Sequence, residues 1–340
     1  MMITKIFTPA ETKQAAKEIQ LGELVAFPTE TVYGLGADAT NEQAVKRVYL
    51  AKGRPSDNPL IVTVSSPEMA ADYIADYGEF GHKLIKEFWP GPLTLIFKIK
   101  PGSLSPVVTG GLKTAAFRMP ANETTRKMIA EAGVPIVGPS ANSSGKPSPT
   151  TAQHVFHDME GKIAGILDDG PTQLGVESTI VDLSTAEPAI LRPGGITPDQ
   201  VAHALGQSVD ASQHKVGANE TPKAPGMKYK HYAPAAQVLI VHANDWEQAL
   251  NWASQQNEKV GVMALSETLA GDLPANVLSY DMGNDLQTAT HRLFDGLRYF
   301  DNEEPVNWIL ACAFAEDGLG AAYMNRLKKA AGDTFFEKKS

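Results

Sequence analysis

The sequence predicts an α/β protein in which a larger mixed-sheet domain precedes a smaller α/β unit. Three observations predict it. Short runs rich in Val, Ile, Leu and Phe alternate with stretches of helical period over residues 11–205. Several of those runs succeed one another with no helix between them, which makes the first sheet mixed rather than purely parallel. From Gly206 to Pro222 the apolar period fails, and it returns at Val238. The expected divisions are residues 1–205, a linker over 206–235, and a smaller Rossmann-like α/β unit over 236–340.

Taken in order, residues 11–20 have helical period, and residues 23–27 read as a short buried strand that Pro28 stops. Over residues 29–36 a strand end runs into two glycines, and Thr29 and Thr31 share a face if the backbone stays extended. Asn41 is suited to cap a helix with Val45, Val48 and Tyr49 on one face, and Gly53 to end it. Residues 60–64, 93–99, 114–118, 135–138, 178–183 and 189–194 read as strands, with helices over 80–88, 124–132 and 151–158. Ser148 or Thr150 is placed to cap the last of these helices. Strands that end at Thr31, Arg118, Gly138 and Arg192 hand polar groups to loops, which is where ligands gather in α/β sheets. In the smaller unit, strands at 238–241, 259–265 and 308–314 alternate with helices near 245–256, 285–300 and 318–330. No G-x-G-x-x-G follows its first strand, so a dinucleotide role is not supported.

Composition narrows the function classes. A net charge of −9 argues against a broad basic face for nucleic acid, so the cations are expected to serve local anionic groups. The single cysteine, Cys312, lies in an apolar run and reads as a small buried hydrophobe. No internal disulfide can form, which suits a reducing cytosol. The first residues have no apolar core of a signal peptide, and no run approaches the ~18 residues of a membrane span. Only His154 and His157 sit at helical spacing, with no carboxylate or cysteine cluster beside them. A metal site built from the protein alone is therefore not expected.

Two segments carry the chemistry. Lys52-Gly53-Arg54-Pro55-Ser56-Asp57-Asn58-Pro59-Leu60 sets two cations about a glycine, and Pro139-Ser140-Ala141-Asn142 begins a loop rich in hydroxyls and amides. Together they suit a polyphosphate, held by fixed positive charge and by hydroxyl and N–H donors. Lys52 and Arg54 also bracket a helix end, where cations are comfortable for purely structural reasons. The GxxxxGK[ST] spacing of a P-loop is absent. The segment Ala224-Pro225-Gly226-Met227-Lys228-Tyr229-Lys230-His231-Tyr232-Ala233-Pro234 is composed either to cover a nucleotide or to serve as a connector.

The motifs in sequence resemble the YrdC-like family. They are Pro28-Thr29-Glu30-Thr31-Val32-Tyr33-Gly34-Leu35, Lys52-x-Arg54, Asn58-Pro59-Leu60 and Trp89-Pro90-Gly91-Pro92-Leu93-Thr94, followed by Arg118-Met119-Pro120, Pro139-Ser140-Ala141-Asn142, Ser178-Thr179-Ile180-Val181-Asp182 and Leu191-Arg192-Pro193-Gly194. They run in order from about residue 9 to residue 200, and the linker and second unit resemble the longer, two-domain form. The resemblance implies a twisted mixed sheet with a concave, positively charged site. It also implies synthesis of L-threonylcarbamoyladenylate from L-threonine, bicarbonate or CO2, and ATP with Mg2+, releasing pyrophosphate. A separate transferase complex would then place the threonylcarbamoyl group on tRNA in the cytoplasm.

By the same resemblance the catalytic set is Lys52, Arg54, Ser140 and Asn142. ATP contacts fall on Arg54, Asn58, Thr114, Ser140, Ser148, Arg192 and Tyr232. Threonine contacts fall on Thr31, Thr63, Arg118, Gly138 and Ser178. Thr63 departs from the histidine often found there in the family; it can hydrogen-bond but carries no charge. Residues 224–234 are expected to act as a lid. The competing reading is a non-catalytic RNA-binding module that uses the same basic cavity, with weak tRNA contact.

Overall fold

The computed structural model describes residues 3–56, 58–211, 222–223 and 231–337. Most of the expected linker, and residues 224–230 of the expected lid, lie outside the described residues. The chain divides into two units. The first comprises Met1–Ser144, Pro149–Gln173 and Glu177–Tyr229; the second comprises Gly145–Ser148, Leu174–Val176 and Lys230–Ser340.

Ten strands form the sheet of the first unit: β1 (Lys5–Phe7), β2 (Val25–Phe27), β3 (Gly34–Asp38), β4 (Ile61–Thr63), β5 (Leu93–Lys98), β6 (Thr114–Arg118), β7 (Ile136–Val137), β8 (Gly165–Leu167), β9 (Thr179–Asp182) and β10 (Ala189–Arg192). Their order is β1-β8-β2-β3-β7-β4-β6-β5-β9-β10. β4 runs parallel to β6 and β5 parallel to β9, whereas β5–β6, β4–β7 and β9–β10 are antiparallel. The sheet is therefore mixed, as its successive strands require.

Alternation along the strands divides the sheet into two faces. Val62, Leu95, Phe97, Ala115, Phe117 and Val181 join the main apolar core. Their neighbours Ile61, Ile96, Ala116 and Ile180 form a small separate cluster on the opposite face. By the same alternation Thr63, Thr94 and Arg118 belong to that opposite face, and all three are buried. The polar groups of the candidate site thus stand on a floor whose reverse side is the core.

The helix Glu42–Lys52 is capped as expected, with Asn41 Oδ1 accepting from the N–H groups of Gln43 and Ala44. Gly53 ends it in the left-handed region at φ 62°, which favours glycine. Two expectations are corrected. The helix Ala152–Met159 is capped by Thr151, whose Oγ1 accepts from His154 N at 3.2 Å, and not by Ser148 or Thr150. A capping oxygen must reach the third N–H of the helix, and Thr151 is the residue immediately before the first turn. Residues 29–33 are not extended strand: Thr29 Oγ1 accepts from Thr31 N and Val32 N and donates to Val32 O at 2.6 Å. A threonine that bonds its own backbone in this way offers a turn in place of a ladder.

The second unit holds β11 (Gln237–Val241), β12 (Val260–Ala264), β13 (Val277–Asp281) and β14 (Trp308–Cys312), in the order β11-β14-β12-β13 and wholly parallel. β13 was not expected from the sequence. It is an edge strand with partly exposed residues throughout, so it has no apolar run to betray it. Lys146 pairs with Asp301 at 2.7 Å, and Arg298 Nη2 donates to Pro147 O at 2.7 Å, so Gly145–Ser148 is fastened inside this unit.

Candidate active site

Lys52 is the last residue of its helix, and its side chain is buried, 4% exposed. Its Nζ donates to the backbone carbonyls of Ser140 and, at 2.7 Å, of Asn142. Ser144 N returns a bond to Lys52 O at 2.8 Å. On its other side the loop is held by β3 and the residue before it: Leu35 N donates to Pro139 O and Ala141 N to Tyr33 O. Ser140 Oγ donates to Asn142 Oδ1 at 2.5 Å. The K-x-R and S-x-N segments are thus brought together, with the lysine charge set directly behind the serine loop.

Arg54 follows the glycine cap and is half-buried, with Nη2 within 3.5 Å of Asn58 O and 3.4 Å of Pro59 O. Asn58 is 1% exposed, and its Oδ1 has no hydrogen-bond partner among the described residues. A buried amide oxygen left unsatisfied costs about 1–3 kcal/mol.

The row Thr63–Arg118–Thr94 crosses three adjacent strands. Thr63 is opposite Arg118 in the β4–β6 register, and Thr94 is opposite Arg118 in the β5–β6 register. Gly138 adjoins this row. A β-carbon there would lie 2.5 Å from Thr63 Oγ1, a distance real β-carbons do not adopt, and a tight 3.0 Å from the Phe27 ring. Arg118 Nη2 donates to Glu30 Oε1 at 2.7 Å, and Glu30 Oε2 accepts from Ala121 N at 2.9 Å. Thr31, fully buried, shares a 2.8 Å hydroxyl contact with Thr29.

Ser178 and Arg192 meet directly. Arg192 Nε donates to Ser178 O at 3.1 Å and Nη2 to Ser178 Oγ at 3.2 Å, while Thr94 Oγ1 and Ser178 Oγ are 2.8 Å apart. Thr114 stands at the opposite end of β6 from Arg118, about 13 Å away at ~3.3 Å per residue. Ser148 and Tyr232 belong to the second unit. There Ser148 is fully buried, and Tyr232 has φ 64° and packs its ring on Phe294, with centroids 5.0 Å apart.

Glu30 and Thr94 are the polar residues of this site that the sequence reading did not single out. Glu30 lies inside the quoted Pro28–Leu35 motif, and that position was the signal available. Thr94 likewise closes the Trp89–Thr94 motif, but threonine in a strand is ordinary and nothing in the sequence marked its hydroxyl as part of a site. The nearby acidic pair is engaged structurally: Asp168 Oδ1 accepts from Gly170 N and Tyr33 Oη, and Asp169 from Asn122 Nδ2. Burial and the Asp168 charge push the Tyr33 phenol above its ordinary range. Among the described residues no group of three or more His, Cys, Asp or Glu is placed to hold a metal ion.

Comparison with known proteins identifies the family. A family profile described as "Telomere recombination" matches residues 17–194, and one described as "Threonylcarbamoyl-AMP synthase, C-terminal domain" matches residues 196–332. The threonylcarbamoyl-AMP synthase of Bacillus subtilis is 48% identical over 322 residues, covering 94% of this chain and 92% of that protein. That of Pyrococcus abyssi is 45% identical over 324 residues, covering 94% and 93%. The crystal structure of P. abyssi Sua5 complexed with L-threonine superposes with a TM-score of 0.90 at 41% identity, over 99% of this chain and 100% of that one. E. coli YciO, at a TM-score of 0.51 and 19% identity, shares the fold of a part covering 57% of this chain. With a profile spanning more than half its length and relatives of this identity over nearly their whole extent, the chain belongs to the threonylcarbamoyl-AMP synthase family.

Proposed function

We propose that this chain joins L-threonine, bicarbonate or CO2, and ATP into threonylcarbamoyl-AMP and pyrophosphate. The observation that carries the reading is the Lys52 tether, which gathers a cation, a hydroxyl and an amide around one loop in a chain so similar to named synthases. The same relatives favour an enzyme over a non-catalytic RNA-binding module.

The threonine ammonium first loses a proton, its nitrogen adds to CO2, and a second N–H proton leaves to solvent to give the carbamate. When bicarbonate is the source, the overall change is ammonium plus bicarbonate to carbamate, water and a proton. A carbamate oxygen then attacks the α-phosphorus of ATP. The bond to the β-phosphate oxygen breaks, and pyrophosphate leaves. Little covalent work falls to the protein in such a transfer; positioning and charge neutralisation dominate.

In this reading Arg54 and Asn58 meet the nucleotide, and Ser140 and Asn142 bond its phosphate oxygens. Lys52 adds charge from behind the loop. Arg192 sits beside Ser178 at the border of nucleotide and amino acid. Arg118 meets the amino-acid carboxylate, with Thr31, Thr63, Ser178 and the Gly138 backbone around the rest of the threonine. The hydroxyl and amide donors present suit a magnesium ion that arrives with ATP and is held by phosphates and water, with the metal written as part of the substrate. The product would pass to a transferase that modifies tRNA, in the cytoplasm.

The test is pyrophosphate release by the purified full chain with MgATP and bicarbonate, with and without L-threonine. Release that rises with threonine supports the reading. Release indifferent to threonine contradicts it.

A further inference from the structure

Glu30 and Arg118 form an ion pair in the face of the sheet, with side chains only 13% and 9% exposed. Both carboxylate oxygens are fixed: Oε1 accepts from Arg118 Nη2 and Oε2 from Ala121 N. The backbone beneath Glu30 is fixed as well, because the Thr29 hydroxyl bonds the N–H groups of Thr31 and Val32. A carboxylate held this firmly keeps its position when a ligand arrives. Each of its oxygens has spent one acceptor site and retains another.

The pair is electrically neutral, and that decides what it attracts. A lone buried arginine would draw any carboxylate. An arginine already matched by a carboxylate has no net charge to offer a second anion, but its dipole matches a molecule that carries both signs. Arg118 Nε is buried and without a hydrogen-bond partner among the described residues, so the positive end still has a donor to give. Thr63 and Thr94 flank Arg118 on the neighbouring strands with hydroxyls, adding no charge of either sign.

We infer that Glu30 is a substrate-binding residue which, paired with Arg118, selects the zwitterionic form of an α-amino acid by accepting from its ammonium while Arg118 meets its carboxylate. The inference rests on the reading that Arg118 binds the threonine carboxylate. It assigns the ammonium a partner before carbamate formation, and it explains why a carboxylate stands beside the residue that is to bind one.

The experiment is calorimetric titration of the full chain, wild type and Glu30→Gln, with L-threonine and with the analogue bearing hydroxyl in place of the α-amino group. Gln keeps an acceptor for Arg118 and removes the charge. Wild type should favour threonine over the hydroxy acid. Glu30→Gln should weaken threonine by roughly 10- to 100-fold, the usual weight of a charged hydrogen bond, while the hydroxy acid binds as well as before or better. Equal weakening of both ligands would mean that Glu30 acts only through Arg118 and would overturn the inference; so would no change in threonine binding. If Glu30→Gln melts far below wild type, Glu30→Asp keeps the charge and is titrated in its place. It should retain the preference for threonine over the hydroxy acid; loss of that preference overturns the inference. Arg118→Lys separates the underlying reading: if it binds threonine unchanged, the carboxylate assignment of Arg118 fails, whatever Glu30 does.

Discussion

Lys52 Nζ lies 2.7 Å from the backbone carbonyl of Asn142, so the last residue of one helix holds the loop that presents Ser140 and Asn142. The loop depends on this cation for its shape as well as for its charge. Lys52→Met keeps the length and apolar stem of the side chain but leaves buried carbonyls without their donor. Each such loss is worth about 1–3 kcal/mol. The expected outcome is a melting temperature lower by several degrees together with loss of turnover, checked by thermal unfolding beside the pyrophosphate assay. Lost turnover with an unchanged melt would assign Lys52 to the chemistry alone.

Gly138 is glycine because Thr63 Oγ1 and Phe27 occupy the space a β-carbon would need. Gly138→Ala is expected to destabilise by about 1–3 kcal/mol through overpacking, and to raise the KM for threonine more than that for ATP. Thr63→Ala in the same chain removes the closer contact and should restore part of the stability. Denaturant unfolding of the single and double variants checks this, and a double variant no more stable than Gly138→Ala would refute the contact.

Arg192 uses Nε and Nη2 to span the carbonyl and hydroxyl of Ser178. Lysine has no such fork. Arg192→Lys should therefore lower kcat/KM at least about tenfold despite the retained charge, as loss of a charged hydrogen bond would. Wild-type kinetics in that variant would show that charge alone suffices.

The Cys312 thiol is buried, and desolvation pushes it up from its ordinary 9.0 to about 11. The folded state therefore favours the thiol. The contribution is fully present below pH 9 and is lost as pH rises through 11, about 3 kcal/mol at ~1.4 kcal/mol per pH unit. Native protein should resist alkylation at pH 8 and react on unfolding. Cys312→Ala should lessen the fall in stability between pH 9 and pH 11. Rapid alkylation of native protein at pH 8 would contradict this.

Much of the first unit was legible because its elements are short and well punctuated. Asn41 and Gly53 bound a helix by their cap chemistry, and β6 appears at residues 114–118 as its apolar residues indicate. The site was legible as motifs but not as partnerships. Lys52 bonds backbone carbonyls, which any residue could supply, so nothing in Ser140 or Asn142 announces the tether. Glu30 and Arg118 are 88 residues apart, and only the folded sheet makes them a pair. Residues 29–36 read in the sequence as a strand end running into two glycines, but over residues 29–33 the Thr29 hydroxyl bonds its own backbone and makes a turn.

The most direct measurement of the central claim supplies the full chain with L-threonine, carbon-labelled bicarbonate and ATP labelled at the α-phosphorus, and separates the products by chromatography. Both labels should travel in one threonine-dependent species that forms together with pyrophosphate. Labels that never share a species, or AMP formed without bound carbon, would contradict it.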